Sequence, residues 1–371
     1  MRRIDTDIAI VGAGPAGGRA ACALAESGLS LALIERAALP RPKACGGAMP
    51  QSARALVEAD MATLVEAEIA GQTHLMPDGR EIRHEAPDRP MILVDRARFD
   101  AALVAEARRL AGDRLVLLAG TAVTDAVEDG AGVTLHAGDT TVRARYVIAA
   151  DGATSVVARR LGLYGPTAGA GIDVELRTTP EAFARLGRRS LFDMRCVRDG
   201  YGWVFPKAGL LSAGVGIWRA PSGLKPAMRR FLDGLLAPGE IAAETWRAHP
   251  VPVFTGHRPC ASRRVCLAGD AAHLVDPVIG EGILYALESG RMAADTVAAL
   301  CGVTLPPARG GIAAHPGYPA TLAEIVAAHG DCRAYTTGIR HSLARKLNLI
   351  RLEAEGAFAA APLPYAKAVP A

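Results

Sequence analysis

Aromatic residues are scarce in this chain: seven Phe, seven Tyr and three Trp make up 5% of 371 residues. Half of the sequence is nevertheless apolar, so its core must be aliphatic, and the apolar content is too high for a disordered chain. No stretch approaches the roughly 18 uninterrupted apolar residues of a spanning helix. The N-terminus, M-R-R-I-D-T-D-I-A-I-V-G, lacks the apolar region and cleavage site of a signal peptide and reads as the lead-in to a strand. No lysine-rich run or basic helix accompanies the net charge of +4, which argues against nucleic acid as a partner. The cysteines at 22, 45, 196, 260, 266, 301 and 332 are odd in number and include no C-x-x-C pair. That speaks against a disulfide framework, a zinc site or an iron–sulfur cluster, so no metal is expected and the cytoplasm is the expected compartment.

What is present is organised by strand ends. Residues 264–299 hold a short apolar strand, Val265 to Ala268, which stops at Gly269-Asp270. Pro277 breaks the loop that follows. Gly280 and Gly282 flank Glu281 and open a long helix whose Ile283, Leu287, Gly290, Ala294 and Val297 share one face, with Glu288, Arg291 and Asp295 on the other. Such a stretch can offer the Asp270 carboxylate to a hydroxyl-bearing ligand. Its glycines admit a flat ring close to backbone amides, and the helix N-terminus favours negative charge there. The bland reading is a strand–turn–helix crossover with Asp270 as a cap.

At the other end, Asp7 to Val11 is a β-rich run followed by Gly12-Ala13-Gly14-Pro15-Ala16-Gly17, an alanine-rich helix and a second strand, Ser30 to Ile34, ending in Glu35-Arg36. In this β-α-β setting Gly12 makes the tight turn, Gly14 lets backbone reach a pyrophosphate, Gly17 lets helix and strand pack, and Glu35 is placed for a ribose hydroxyl. Residues 41–50, with two prolines and the pair Gly46-Gly47 beside Cys45, read as a loop. A cysteine there could lie over a cofactor ring, but on spacing alone Cys45 reads as a small buried residue. A third strand end, Ala150-Asp151-Gly152, puts Asp151 either against a dinucleotide or at the cap of the helix that starts near Ser155. From 165 to 262 the texture is that of an antiparallel sheet, with strands at 171–178, 189–195, 201–205 and 210–218 and a covering helix, 221–236. Alternation sets Tyr201, Trp203 and Phe205 on one face, as core or as a ligand-facing wall. Past Leu300 a Pro/Gly-rich excursion, 301–318, precedes helical stretches at 319–330 and 333–355 and a frayed tail from 359.

The order G-x-G-x-x-G, D-G, G-D resembles FAD-dependent oxidoreductases of the para-hydroxybenzoate hydroxylase plan. Within them K-A-C-G-G-A-M-P (43–50), Y-G-W-V-F-P-K (201–207) with G-V-G (214–216), and D-P-V-I-G-E-G-I-L-Y-A-L-E-S-G (276–290) resemble the geranylgeranyl reductase family. The resemblance implies an α/β fold: a Rossmann-like FAD-binding domain (1–69, 95–164 and 263–300), an inserted antiparallel-sheet substrate domain (70–94 and 165–262) and a C-terminal helical region (301–371). It implies that Gly12, Gly14, Gly17, Glu35 and Arg36 hold the ADP half of FAD. Arg96 and Asp270 would meet its phosphate or ribityl portion, and Gly280, Gly282 and Ile283 its pyrimidine edge. Val123, Asp151 and Pro277 join the cofactor set. Cys45, Gly46 and Gly47 would flank the ring, with Cys45 as the candidate catalytic residue, its thiol starting from a free pKa of about 8.5. Tyr201, Trp203 and Phe205 would line the substrate cavity.

The activity implied is reduction of carbon–carbon double bonds in an isoprenoid or similarly apolar substrate by reduced FAD. Electrons would come from NADPH or a ferredoxin-like protein, and contact with the inner face of a membrane would be peripheral. His273, following G-D-A-A, departs toward the hydroxylases and keeps a monooxygenase as the alternative; by itself it reads as a structural histidine. A flavoprotein that binds FAD and a partner or membrane quinone without transforming a small molecule is the third reading.

Overall fold

Ile8, Ala9 and Ile10 are fully buried, as expected of a central parallel strand covered on both faces. They belong to β1 (Arg2–Val11), which passes through a glycine turn into α1 (Pro15–Leu24) and returns as β2 (Leu31–Glu35). The computed structural model describes residues 2–166, 169–218, 223–348 and 350–351, so the tail expected to fray lies outside the described residues.

The chain continues with β3 (Ala48–Pro50), α2 (Met61–Leu64), β4 (Val65–Ile69), β5 (Gly71–Leu75), β6 (Glu81–Glu85) and β7 (Met91–Val94). Helix α3 (Arg96–Ala111) leads to β8 (Leu115–Ala119), β9 (Val123–Glu128), β10 (Val133–Ala137), β11 (Thr140–Ala149) and α4 (Val156–Arg160). Next come β12 (Gly169–Thr178), α5 (Pro180–Leu186), β13 (Ser190–Asp193), β14 (Gly200–Lys207), β15 (Leu210–Ile217), α6 (Leu224–Asp233) and β16 (Ile241–Val251). The last elements are β17 (Val265–Leu267), α7 (Ile283–Leu300), α8 (Tyr318–His329) and α9 (Arg333–His341).

Three sheets result. The first runs β8-β2-β1-β11-β10-β9, and β17 pairs with the C-terminal half of β11. Its parallel members carry the aliphatic core against α1 and α7, which makes it a mixed α/β sheet of the Rossmann type. The second runs β16-β12-β15-β14-β13-β5-β6 and is antiparallel except for the β13–β5 pair. Its residues alternate: Ile172, Val174, Val204, Ala213 and Val215 pack under α6, while the residues between them face the other way. The third, β3-β7-β4, bridges these two.

Some local expectations are corrected. Residues 48–50, expected within a loop, form β3, because β7 supplies a partner that turn chemistry cannot reveal. β7 itself joins β3 and β4, not the seven-stranded antiparallel sheet. Helix α5 and edge strand β16 carried no clear periodic signal. The helix expected over 333–355 breaks at Ser342, where α9 ends. Glu288, Arg291 and Asp295, expected on an outer face, are all buried, because the C-terminal helices close over α7. Arg291 Nε donates to Asp295 Oδ1 at 2.9 Å, and the Ile312 N–H donates to Glu288 Oε2 at 3.1 Å. Burial without such partners would be costly for either charge.

Candidate functional site

A cavity of about 1140 Å³ opens where the three sheets meet, and it brings together turns from opposite ends of the chain. Of the residues singled out above, Gly12, Gly14, Glu35, Arg36, Cys45, Gly46, Gly47, Arg96, Val123, Asp151, Asp270, Gly280, Gly282, Ile283, Tyr201, Trp203 and Phe205 line it. Gly17 and Pro277 do not. Gly17 sits behind the turn, where a Cβ would come 1.8 Å from the Gly12 carbonyl oxygen, so its work is helix–strand packing. Pro277 lies in the loop that Asp276 shapes by accepting the Val278 and Ile279 N–H groups at 2.8 and 2.9 Å.

The N-terminal turn is fixed by backbone geometry. Gly12 has φ of +96°, and a Cβ there would meet the Ala150 carbonyl oxygen at 2.2 Å. Helix α1 then begins at Gly14 with no side-chain cap, leaving its first N–H groups directed at the cavity. Glu35 is already engaged: Ala13 N–H donates to its Oε2 at 2.8 Å and Ala37 N–H to its Oε1 at 3.1 Å. Arg41, which the sequence reading missed, joins Glu35 to Asp100 with contacts of 3.2 and 3.1 Å. Asp100 also pairs with buried Arg96, whose Nη2 donates to it at 2.9 Å. Burial would lower the pKa of Arg96, but Asp100 and Cys45 beside it keep the guanidinium charged. Asp151 turns out to be a cap: Ser155 Oγ donates to it at 2.6 Å and the Val156 N–H at 2.8 Å.

At the C-terminal turn Gly280 and Gly282 bracket Glu281, whose Oε1 accepts the Leu284 N–H at 2.8 Å. The carboxyl therefore sits on the N-terminus of α7. Burial pushes it up to about 7, against the pull of the Leu284 and Ile283 amides. Asp270 is half-buried nearby; a Cβ on Gly282 would lie 3.8 Å from its Oδ1. His273 does not line the cavity. It is buried with φ of +56°, its ring edge-on to Tyr164, and burial lowers it to about 4.

The antiparallel sheet supplies the third wall. Tyr201, Trp203 and Phe205 form a continuous set of rings with Phe192 and Trp218, with centroids 5.4 to 6.2 Å apart. Each such pair contributes ~0.5–1.5 kcal/mol beyond area burial. The Cys45–Gly47 turn lies against this wall: a Cβ on Gly46 would meet the Phe205 ring at 2.7 Å. Cys45 Sγ accepts the Gly47 N–H at 3.3 Å. Trp218 and Phe192, like Lys43, Asp173 and His249, line the cavity without having been foreseen. The charged residue within the G-I-D-V-E strand pattern was the one available signal for Asp173. Lys43 stands near Arg41 and Arg96, and His249 near those two, Arg36 and Lys43; burial lowers Lys43 to about 8 and His249 to about 3.

Among the described residues no helix is long and apolar enough to cross a membrane. Residues 5–179 match the family model of the FAD binding domain. Geranylgeranyl diphosphate reductase of Rhodobacter capsulatus is 32% identical over 303 residues, covering 79% of this chain and 75% of that one. Menaquinone reductase of Mycolicibacterium smegmatis is 33% identical over 318 residues, covering 78% and 75%. The crystal structure of a geranylgeranyl bacteriochlorophyll reductase-like protein from Thermoplasma acidophilum superposes with a TM-score of 0.75 at 22% identity, covering 95% of this chain and 87% of that one. With the two glycine turns on one cavity and relatives above 30% identity along most of their length, the chain belongs to the geranylgeranyl reductase family of FAD-dependent oxidoreductases.

Proposed function

We propose that this protein reduces carbon–carbon double bonds of an isoprenoid or similarly apolar substrate. The observation that carries the reading is the ring wall of Tyr201, Trp203 and Phe205 in the same cavity as both glycine turns. An apolar chain gains roughly 25 cal/mol per Å² buried against such a surface. The cavity of about 1140 Å³ stands at the upper end of the roughly 300–1,000 Å³ usual for ligand and cofactor sites, which suits a ligand as long as a dinucleotide.

The residues suit FAD. The uncapped N-terminus of α1 with Gly12 and Gly14, flanked by Arg36 and Arg41, favours a pyrophosphate. Glu35 would take ribose hydroxyls in place of its Arg41 contact, and Asp270 would take ribityl hydroxyls. Gly280, Gly282 and Ile283 would meet the pyrimidine edge, with Val123, Asp151 and Arg96 along the cofactor's length. When bound and reduced, FAD supplies a hydride. The chain's own part is to orient the substrate against the rings, to exclude water, and to hold Cys45 beside the reacting carbons. NADPH or a ferredoxin-like protein would deliver the electrons, and a lipid-borne substrate would be collected at a membrane's inner face.

The test is product mass. Holoprotein under chemical reduction is given geranylgeranyl diphosphate and, separately, menaquinone, the substrates in the names of the two relatives. A gain of two hydrogens per bond supports the proposal; a gain of one oxygen under air establishes the monooxygenase instead.

A further inference from the structure

Asp173 is 3% exposed, lines the cavity, and has a buried Oδ1 with no hydrogen-bond partner among the described residues. A buried carboxylate left in this state is costly. Its position is set by sheet register. Asp173 on β12 is directly opposite Gly214 on β15, and Gly214 is directly opposite Trp203 on β14. Directly paired residues project to the same face, so Asp173 and Trp203 face the cavity from strands two steps apart, ~10 Å between their Cβ atoms. Gly214 leaves that interval clear: a Cβ there would lie 2.0 Å from Trp203 Cζ2, so the indole reaches over the intervening strand toward Asp173. Trp203 Nε1 is likewise buried with no hydrogen-bond partner among the described residues. Against this row lies the Cys45–Gly46 turn, the Cys45 N–H facing the Asp173 carboxyl and Gly46 under the indole nitrogen.

From this placement we infer that Asp173 is the general acid of the site, donating the proton that completes double-bond reduction. The inference rests on the reductase reading above. The π bond of the alkene breaks; one carbon gains a hydride from reduced flavin and the other gains the Asp173 proton. The two electrons would arrive with the hydride that reduced FAD supplies when bound, and water would reprotonate the Asp173 carboxylate. The carboxyl is suited to this because burial pushes it up to about 7. Arg247 on β16 and Lys207 on β14 pull the other way, and Glu175 on its own strand adds to the rise. Lys207 is itself held by the Val94 carbonyl at 3.0 Å, which limits how closely it can neutralise Asp173. A group poised near neutrality both holds a proton and releases it readily.

Two measurements on the full chain test this. Tryptophan emission of the protein without substrate is titrated through neutral pH. A transition near 7 is expected, lost in Asp173→Asn and in Trp203→Phe but kept in Glu281→Gln, which removes the other carboxyl that burial raises to about 7. A transition that survives in Asp173→Asn overturns the inference. In turnover, Asp173→Asn is expected to keep its flavin and its rate of flavin reduction while substrate reduction falls ~100-fold or more. If the wild type reduces an isoprenoid double bond and Asp173→Asn matches it, the acid assignment fails and the reductase reading stands. If the wild type reduces none, the reductase reading fails and takes the acid assignment with it. Should Asp173→Asn not fold, Asp173→Glu must displace the pH–rate profile, and an unmoved profile overturns the inference.

Discussion

Tyr201, on the antiparallel sheet, donates its hydroxyl hydrogen to the carbonyl of Ile279, one residue before the glycine that turns the chain toward α7. Trp218 Nε1 donates to the neighbouring Val278 carbonyl at 3.3 Å. The ring wall and the turn on the far side of the cavity are thus tied together, and the wall's position follows that of α7. Tyr201→Phe keeps the ring and removes the tie. It is expected to cost about 0.5–1.5 kcal/mol, the net worth of a part-buried hydrogen bond. Flavin content should persist while the KM for substrate rises. Melting curves and kinetics check this; an unchanged melting temperature would show that the tie carries no stability.

The two glycines of the N-terminal turn should fail differently. A side chain on Gly12 meets backbone at 2.2 Å and needs a left-handed φ, so Gly12→Val is expected to impair folding itself. At Gly14 only Arg41 Nη2, at 3.8 Å, lies within 4 Å of an added Cβ, and the site faces the cavity. Gly14→Val should therefore fold and melt normally as apoprotein yet come off the column colourless. Circular dichroism and the absorbance spectrum separate the two. A yellow Gly14→Val protein would remove this turn from the cofactor site.

Glu35 links pH to stability. Burial alone would raise its carboxyl, but the Ala13 N–H and the Arg41 guanidinium outweigh burial and hold it below its ordinary value. A depressed folded pKa means the pairing stabilises the fold above the unfolded value of about 4.3, and the benefit is lost as pH falls through the folded value. Glu35→Gln should be about 1–3 kcal/mol less stable at neutral pH, and its deficit should close below roughly pH 4. Denaturant melts at a series of pH values measure the gap. A gap independent of pH would mean that the carboxylate's charge is not what matters.

Cys45→Ala removes the thiol from between the ring wall and Arg96. It is expected to retain full flavin content and to lose most turnover, through the loss of a side chain that positions the substrate beside the proton donor. Flavin stoichiometry and initial rates decide. Unchanged rates would leave Cys45 a packing residue whose backbone alone serves the site.

Much of this was legible from local pattern. The turn at Gly12–Gly17, the aliphatic strands before Asp151 and Asp270, and the alternation of Tyr201, Trp203 and Phe205 depend on residues within a few positions of one another. Other features depend on partners far along the chain. Asp151 could be read as cofactor contact or cap, and only the course of α4 gives it Ser155 and Val156 to hold. Arg41 carried no signal, because its partners Glu35, at the end of β2, and Asp100, in α3, come together only in the folded chain.

By itself, then, the sequence determined the strand–glycine–helix units at both ends and the aliphatic core beneath them, because turn chemistry and side-chain period act within a few residues. Tertiary structure decided that the Gly12 and Gly282 turns share one cavity and that Arg291 and Asp295 are buried beneath the C-terminal helices. It alone set Asp173 in a row with Trp203. Register and coverage are set by whichever distant segment arrives as a neighbour, and a carboxyl's environment is made by that neighbour.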